Sequence, residues 1–177
     1  MPGSFCKRIS GGVLIGMNKK YFPLFVSMEQ KHILLVGAGN IALRRARGLL
    51  GFGAALTVIA PNIRDEFRYL QKQYGEENLT LIQRRFVPGE IAGYDLVLSA
   101  TDSEFVDAGI CSECREKKIP VNIASNQNLC DFYFPALIEH EDIVMGVCSG
   151  GSDHKKVRSI SADLRELLKN NGSSSAH

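Results

Sequence analysis

Residues 32–47, HILLVGAGNIALRRAR, constrain the fold more than any other stretch of the chain. Four apolar residues, Ile33, Leu34, Leu35 and Val36, run without a break into Gly37-Ala38-Gly39-Asn40-Ile41-Ala42. Ala42, Ala46, Leu49 and Leu50 then recur on one helical face. An apolar strand that feeds a glycine turn and opens a helix is the G-x-G-x-x-A arrangement of dinucleotide-binding folds. Each small residue has a mechanical task. Gly37 permits the tight turn, Gly39 lets the backbone approach a pyrophosphate, and Ala42 lets helix and strand pack closely. The N–H groups of the helix start face the phosphates, where the helix dipole also favours negative charge. Gly37, Gly39, Asn40 and Ile41 are therefore expected to bind the cofactor.

The chain continues in the same grammar. Gly51-Phe52-Gly53 closes the helix, and ALTVIA (residues 55–60) is a continuous apolar run suited to a parallel strand covered on both faces. Pro61-Asn62 ends it, and Ile63, Phe67, Leu70 and Tyr74 keep helical spacing. Residues 79–83 make a third strand, and 84–89 a connection. DLVLSA (95–100) is a fourth strand delivering Thr101-Asp102 at its carboxyl end, followed by a helix over 104–117 and a fifth strand over 119–124. This alternation predicts an α/β, Rossmann-type doubly wound parallel sheet. Ligands of such sheets bind outside the carboxyl ends of the strands, which gathers residues 37–40, Asn62, Thr101, Asp102, Ser125 and Asn126 around one crevice. An acidic residue normally ends the second strand and bonds the adenine ribose. Here that position reads Ala60-Pro61-Asn62. Asn62 can bond a ribose but cannot exclude a 2′-phosphate by charge, so these residues leave NAD against NADP open.

From Phe132 the pattern changes. Residues 132–138 and 143–148 are extended runs separated by only four residues, which predicts an antiparallel pair. Ser149-Gly150-Gly151-Ser152 is a second glycine turn, opening a helix with Val157, Ile160, Leu164, Leu167 and Leu168 on one face. The expected organisation is a loose leader (1–20), an NAD(P)-binding Rossmann domain (21–131), a dimerisation and substrate segment with a C-terminal helix (132–170), and a frayed tail (171–177). The apolar residues 21–26, YFPLFV, are expected to pack across the sheet edge before the first strand.

Composition excludes several classes. With 177 residues, 45% hydrophobic and 23% charged, the chain can bury an ordinary core. A net charge of +2 gives no footprint for nucleic acid, and no apolar run approaches the roughly 20 residues of a membrane span. No cleavable leader is recognised, and the expected compartment is the cytoplasm. Five scattered cysteines make no disulfide framework. Cys111 and Cys114 form a C-x-x-C inside a helical stretch, with no second pair at ligand spacing, and read as two helix-face thiols rather than a metal site. Cys6, Cys130 and Cys148 read as unpaired.

In this order, YFPLF, HILLVGAGNIALRRARGLL, VIAPN, SATD, VNIAS, LCDFYFPALI and VCSGG make the chain similar to a known family. It resembles the precorrin-2 dehydrogenase/sirohydrochlorin ferrochelatase family, the amino-terminal module of siroheme synthase, from about Tyr21 to Leu168. The resemblance implies NAD-dependent oxidation of precorrin-2 to sirohydrochlorin in siroheme biosynthesis, and a homodimer built largely by the region after the fifth strand. A substrate rich in carboxylates would suit basic residues, for which Arg44, Arg45, Lys155, Lys156 and Arg158 are candidates. The family aspartate that serves as base corresponds to Ser125 here, and neither a serine hydroxyl nor the neighbouring Asn126 amide is a base near neutral pH. Asp102, Asp131 and His140 are the nearest titratable alternatives in sequence. Ser149 matches a family serine of the active-site region. Asp153 and His154 replace the usual serine-proline pair; Asp153 suits a helix cap and His154 is the histidine candidate for proton chemistry. The family's further helical domain is not included, which together with Ser125 argues against ferrochelatase activity. The alternative to a dehydrogenase is a catalytically impaired homologue that binds NAD and tetrapyrrole as carrier, sensor or partner of another pathway enzyme.

Overall fold

The computed structural model describes residues 21–150 and 152–172. The leader of residues 1–20 with its Cys6, Gly151 of the second glycine turn and residues 173–177 of the tail lie outside the described residues. Five parallel strands, β1 (His32–Val36), β2 (Ala55–Ala60), β3 (Leu79–Gln83), β4 (Leu96–Ser99) and β5 (Val121–Ile123), form one sheet in the order β3-β2-β1-β4-β5. Helices α1 (Asn40–Gly51), α2 (Asp65–Tyr74) and α3 (Glu104–Lys117) connect them. The Rossmann-type fold expected from the pattern is the fold observed.

β1 is central because both faces of it are apolar. Ile33 and Leu35 pack with Ala42, Ala46, Leu50, Phe67 and Leu70 of α1 and α2 on one side. Leu34 and Val36 pack with Ile110, Cys111 and Cys114 of α3 on the other. Alternate residues of a strand point to opposite faces, so a strand with no polar face is stable only between two layers. Cys111 and Cys114 are accordingly buried helix-face thiols. Burial pushes the Cys114 thiol up to about 12.

After β5 the chain folds back across it. Asp131 Oδ2 accepts from Val121 N–H at 3.0 Å, Asn122 Nδ2 donates to the Phe132 carbonyl at 2.6 Å, and Cys130 Sγ accepts from Ile123 N–H at 3.3 Å. β6 (Ala136–His140) and β7 (Ile143–Val147) then pair antiparallel, with Glu141 at φ 53° in their turn. α4 (His154–Gly172) follows, tied to β6 by Arg165 Nη2 donating to the Leu137 carbonyl at 2.8 Å. Residues 132–135 precede β6 rather than extending it, because Asn122 and the core hold them.

One expectation is corrected. Residues 21–26 do not pack across a sheet edge: Phe22, Leu24, Phe25 and Val26 are 60–82% exposed. Only Tyr21 turns in, its ring 4.2 Å from that of Tyr133. β1, which this segment precedes, lies in the middle of the sheet and offers it no edge.

Candidate dinucleotide and substrate site

The glycine turn stands where β1 ends against β4. Gly37 has φ +100°, and a Cβ there would lie 2.3 Å from the Ala100 carbonyl oxygen. Its N–H donates to the Ile59 carbonyl at 2.9 Å, so β1, β2 and β4 converge on this residue. Gly39, by contrast, has nothing within 4 Å of a would-be Cβ. It is the N-cap of α1 and supplies no side-chain acceptor, and the first turn of α1 carries no acidic residue. The first backbone bond of the helix is Leu43 N–H to the Gly39 carbonyl at 2.9 Å. Open space beside the backbone, uncapped N–H groups and no competing anion suit a pyrophosphate. Gly37, Gly39, Asn40 and Ile41 fit a dinucleotide.

Around this turn lie the other expected residues. Asn40 is exposed and its Oδ1 accepts from Arg64 Nη1 at 2.6 Å; Ile41 is 45% exposed and Asn62 is exposed. Arg64 also pairs with Glu66, Nη2 to Oε1 at 2.6 Å, which holds the Glu66 carboxyl down to about 2. Asp102 is exposed on the loop that leaves β4, and no side-chain hydrogen bond or ion pair engages it among the described residues.

Asp107 is a residue that the sequence pattern did not bring to this site. Asp107 of α3 is 2% exposed, and its carboxylate accepts three hydroxyls: Ser99 Oγ at 2.5 Å, Thr101 Oγ1 at 2.7 Å and Ser125 Oγ at 2.5 Å. Each hydroxyl is placed to donate to this carboxylate, and Thr101 Oγ1 also lies 3.2 Å from the Ser103 carbonyl, a second acceptor for its proton. Thr101 Oγ1 in turn accepts from Ser103 N–H at 3.2 Å. Ser125, where the family has an aspartate, thus turns its proton inward and leaves its lone pairs for a donor from the crevice. A signal was present in the sequence: Asp107 falls on the same helical face as Ile110, Cys111 and Cys114, an acid within an apolar stripe.

The remaining candidates separate. Asp131 is engaged by Val121 N–H, which leaves it a structural acceptor. His140 ends β6 at the hairpin turn, whereas Ser149 follows β7 at the opposite end of the hairpin. Ser149 Oγ accepts from Asp153 N–H at 3.0 Å, and Asp153 Oδ1 caps α4 by accepting from Lys156 N–H at 2.8 Å. His154, Lys155, Lys156 and Arg158 are exposed along the first turns of α4. Arg44 is exposed, but Arg45 is turned in, its guanidinium 4.9 Å from the centre of the Phe134 ring, where burial lowers its pKa. Arg45 clamps α1 to the segment after β5 through a cation–π contact.

Comparison with known proteins agrees with this geometry. Residues 24–136 match the family described as "Putative NAD(P)-binding". The chain belongs to this NAD(P)-binding family. Among its relatives, the siroheme synthase of Pseudomonas paraeruginosa (strain DSM 24068 / PA7) is 38% identical over 148 residues, covering 84% of this chain and 31% of that protein. The siroheme synthase of Pseudomonas fluorescens (strain SBW25) is 36% identical over 149 residues, 84% of this chain and 32% of that protein. The chain spans about a third of the length of these curated relatives. A solved structure, "SirC, precorrin-2 dehydrogenase", superposes with a TM-score of 0.71 at 22% identity, covering 83% of this chain and 71% of that one. The fold therefore extends beyond the nucleotide-binding sheet into the hairpin region. The likeness to the precorrin-2 dehydrogenase/sirohydrochlorin ferrochelatase module, read from the motifs, stands.

Proposed function

We propose that this member of the NAD(P)-binding family oxidises precorrin-2 to sirohydrochlorin. The observation that carries the reading is the conjunction, at one end of the sheet, of an uncapped glycine turn with an unengaged carboxylate, Asp102, on the next loop. Oxidation of precorrin-2 releases a hydride and a proton. Bound at the glycine turn, the dinucleotide would accept the hydride. The proton needs a separate acceptor, and Asp102 is the exposed carboxylate leaving β4. Ser125, its proton committed to Asp107, would accept a hydrogen bond from the substrate or the nicotinamide amide and so orient it. Lys155, Lys156 and Arg158 at the start of α4, with Arg44, supply cations for substrate carboxylates; Ser149 and His154 would lie on the same substrate side. One ground for a non-catalytic homologue was the hydroxyl at 125. Asp102 weakens it, because an exposed carboxylate stands on the loop that leaves β4.

The working unit in this reading is a homodimer in the cytoplasm. Exposed Phe22, Leu24, Phe25 and Ile143 support a second copy as partner, which the mass in solution tests. Cys111, Cys114, Cys130 and Cys148 all stand as free thiols, in keeping with a reducing compartment. No helix among the described residues is long and apolar enough to cross a membrane.

The test is anaerobic turnover of enzymatically generated precorrin-2 with NAD, followed by NADH and sirohydrochlorin absorbance. Equal yields of both are expected from the natural chain. Asp102→Asn should lower kcat by about 10²-fold or more while leaving NAD binding in place. No turnover by a chain that binds both ligands would overturn the reading.

A further inference from the structure

Sheets of this kind hold the adenine ribose beside the end of the second strand, where an acid accepts from the 2′-hydroxyl or an arginine receives a 2′-phosphate. Residues 60–62 supply neither. Just beyond them stand Arg64 and Glu66, at the start of α2. Arg64 Nη1 donates to Asn40 Oδ1 at 2.6 Å, which places the guanidinium against the first residue of α1, beside the glycine turn. Its other edge is given to Glu66: Nη2 donates to Oε1 at 2.6 Å and Nε to Oε2 at 3.3 Å. The arginine fork is thereby occupied, and what it presents is an oriented carboxylate. The two side chains keep 42% and 39% of their surface exposed, so a ligand reaches them from solvent.

Resting on the dinucleotide reading above, we propose that Glu66, oriented by Arg64, is the acid that selects NAD over NADP in this chain. It accepts from the 2′-hydroxyl of the adenine ribose, in place of the acid missing from the end of β2. A 2′-phosphate would have to break the Arg64–Glu66 pair and then sit beside the carboxylate it displaced, a built-in repulsion of the wrong ligand. Removing the carboxylate reverses the site's preference, because Arg64 is then free to pair with a phosphate.

Equilibrium binding of NAD and of NADP to the purified full chain tests this directly, without turnover. The natural chain should bind NAD more tightly than NADP by about tenfold or more. Glu66→Gln should shift the ratio toward NADP by about tenfold or more, through a gain in NADP affinity, and Arg64→Gln added to it should abolish that gain. Asp65→Asn removes the same charge one residue away, from a side chain 88% exposed, and should leave the ratio within about twofold. A natural preference for NADP, an unchanged ratio in Glu66→Gln, or an equal shift in Asp65→Asn overturns the assignment alone. Binding of neither dinucleotide by the natural chain overturns the dinucleotide reading and the assignment with it.

Discussion

Gly37 and Gly39 stand two positions apart and answer to different constraints. Gly37 is held by the protein itself: its φ of +100° and the Ala100 carbonyl leave no room for a side chain. Gly37→Ala should therefore cost about 3 kcal/mol or more, read from urea unfolding. Gly39 has an ordinary φ of −82° and open space around it. Gly39→Ala should change stability by no more than about 1 kcal/mol, yet weaken NAD binding by about tenfold or more because the methyl fills the pyrophosphate's approach. A Gly39→Ala chain that binds NAD normally would remove the phosphate from this turn. Both glycines were legible in the sequence, since small residues between strand and helix have few other uses. Arg45 was not: as a basic residue it read as a candidate for substrate carboxylates, and only the position of Phe134 shows that it is turned in.

At the level of elements, Asp107 fastens three of them. Ser99 at the end of β4, Thr101 on the loop after it and Ser125 after β5 all donate to a carboxylate carried by α3. Asp107→Asn removes the charge and replaces one acceptor oxygen with a donor that faces hydroxyl protons. It should destabilise the fold by about 1–3 kcal/mol, measured as a shift in urea midpoint. Unchanged stability would mean that the three hydroxyls are satisfied elsewhere. The order of strands and helices was readable because apolar periodicity reports burial directly, and the helix over 104–117 matches α3 at both ends. The network was not, because hydrogen bonds between Ser99, Asp107 and Ser125 depend on the pairing of β4 with β5, which spacing alone does not reveal. The same limit hid Glu66, an acid that reaches the glycine turn through Arg64 from a helix instead of from the strand end. Residues 21–26 were misread because hydrophobicity was taken to mean burial within the same chain, whereas most of them face outward.

Across the whole molecule, burial of thiols ties stability to alkaline pH. Cys114 is pushed from 9.0 to about 12, first by burial and then by Cys111, Glu113 and Asp131 nearby. A raised folded-state pKa means that the folded chain keeps its proton where the unfolded chain loses it. The contribution is full below about 9 and is lost as pH rises toward about 12. Urea midpoints across pH 8 to 11 should therefore fall more steeply in the natural chain than in Cys114→Ala, which starts lower by about 1 kcal/mol through its lost packing. Parallel slopes would assign the alkaline loss to other groups.

The central place of β1 also governs what happens while the chain leaves the ribosome. β2 and β3 can pair beside it as soon as they emerge, and α1 and α2 cover one face. The β4 edge of β1 and the face bearing Leu34 and Val36 wait for residues up to 117. During that interval a half-built sheet presents an unpaired edge and a bare apolar face to solvent, the kind of surface that chaperones hold.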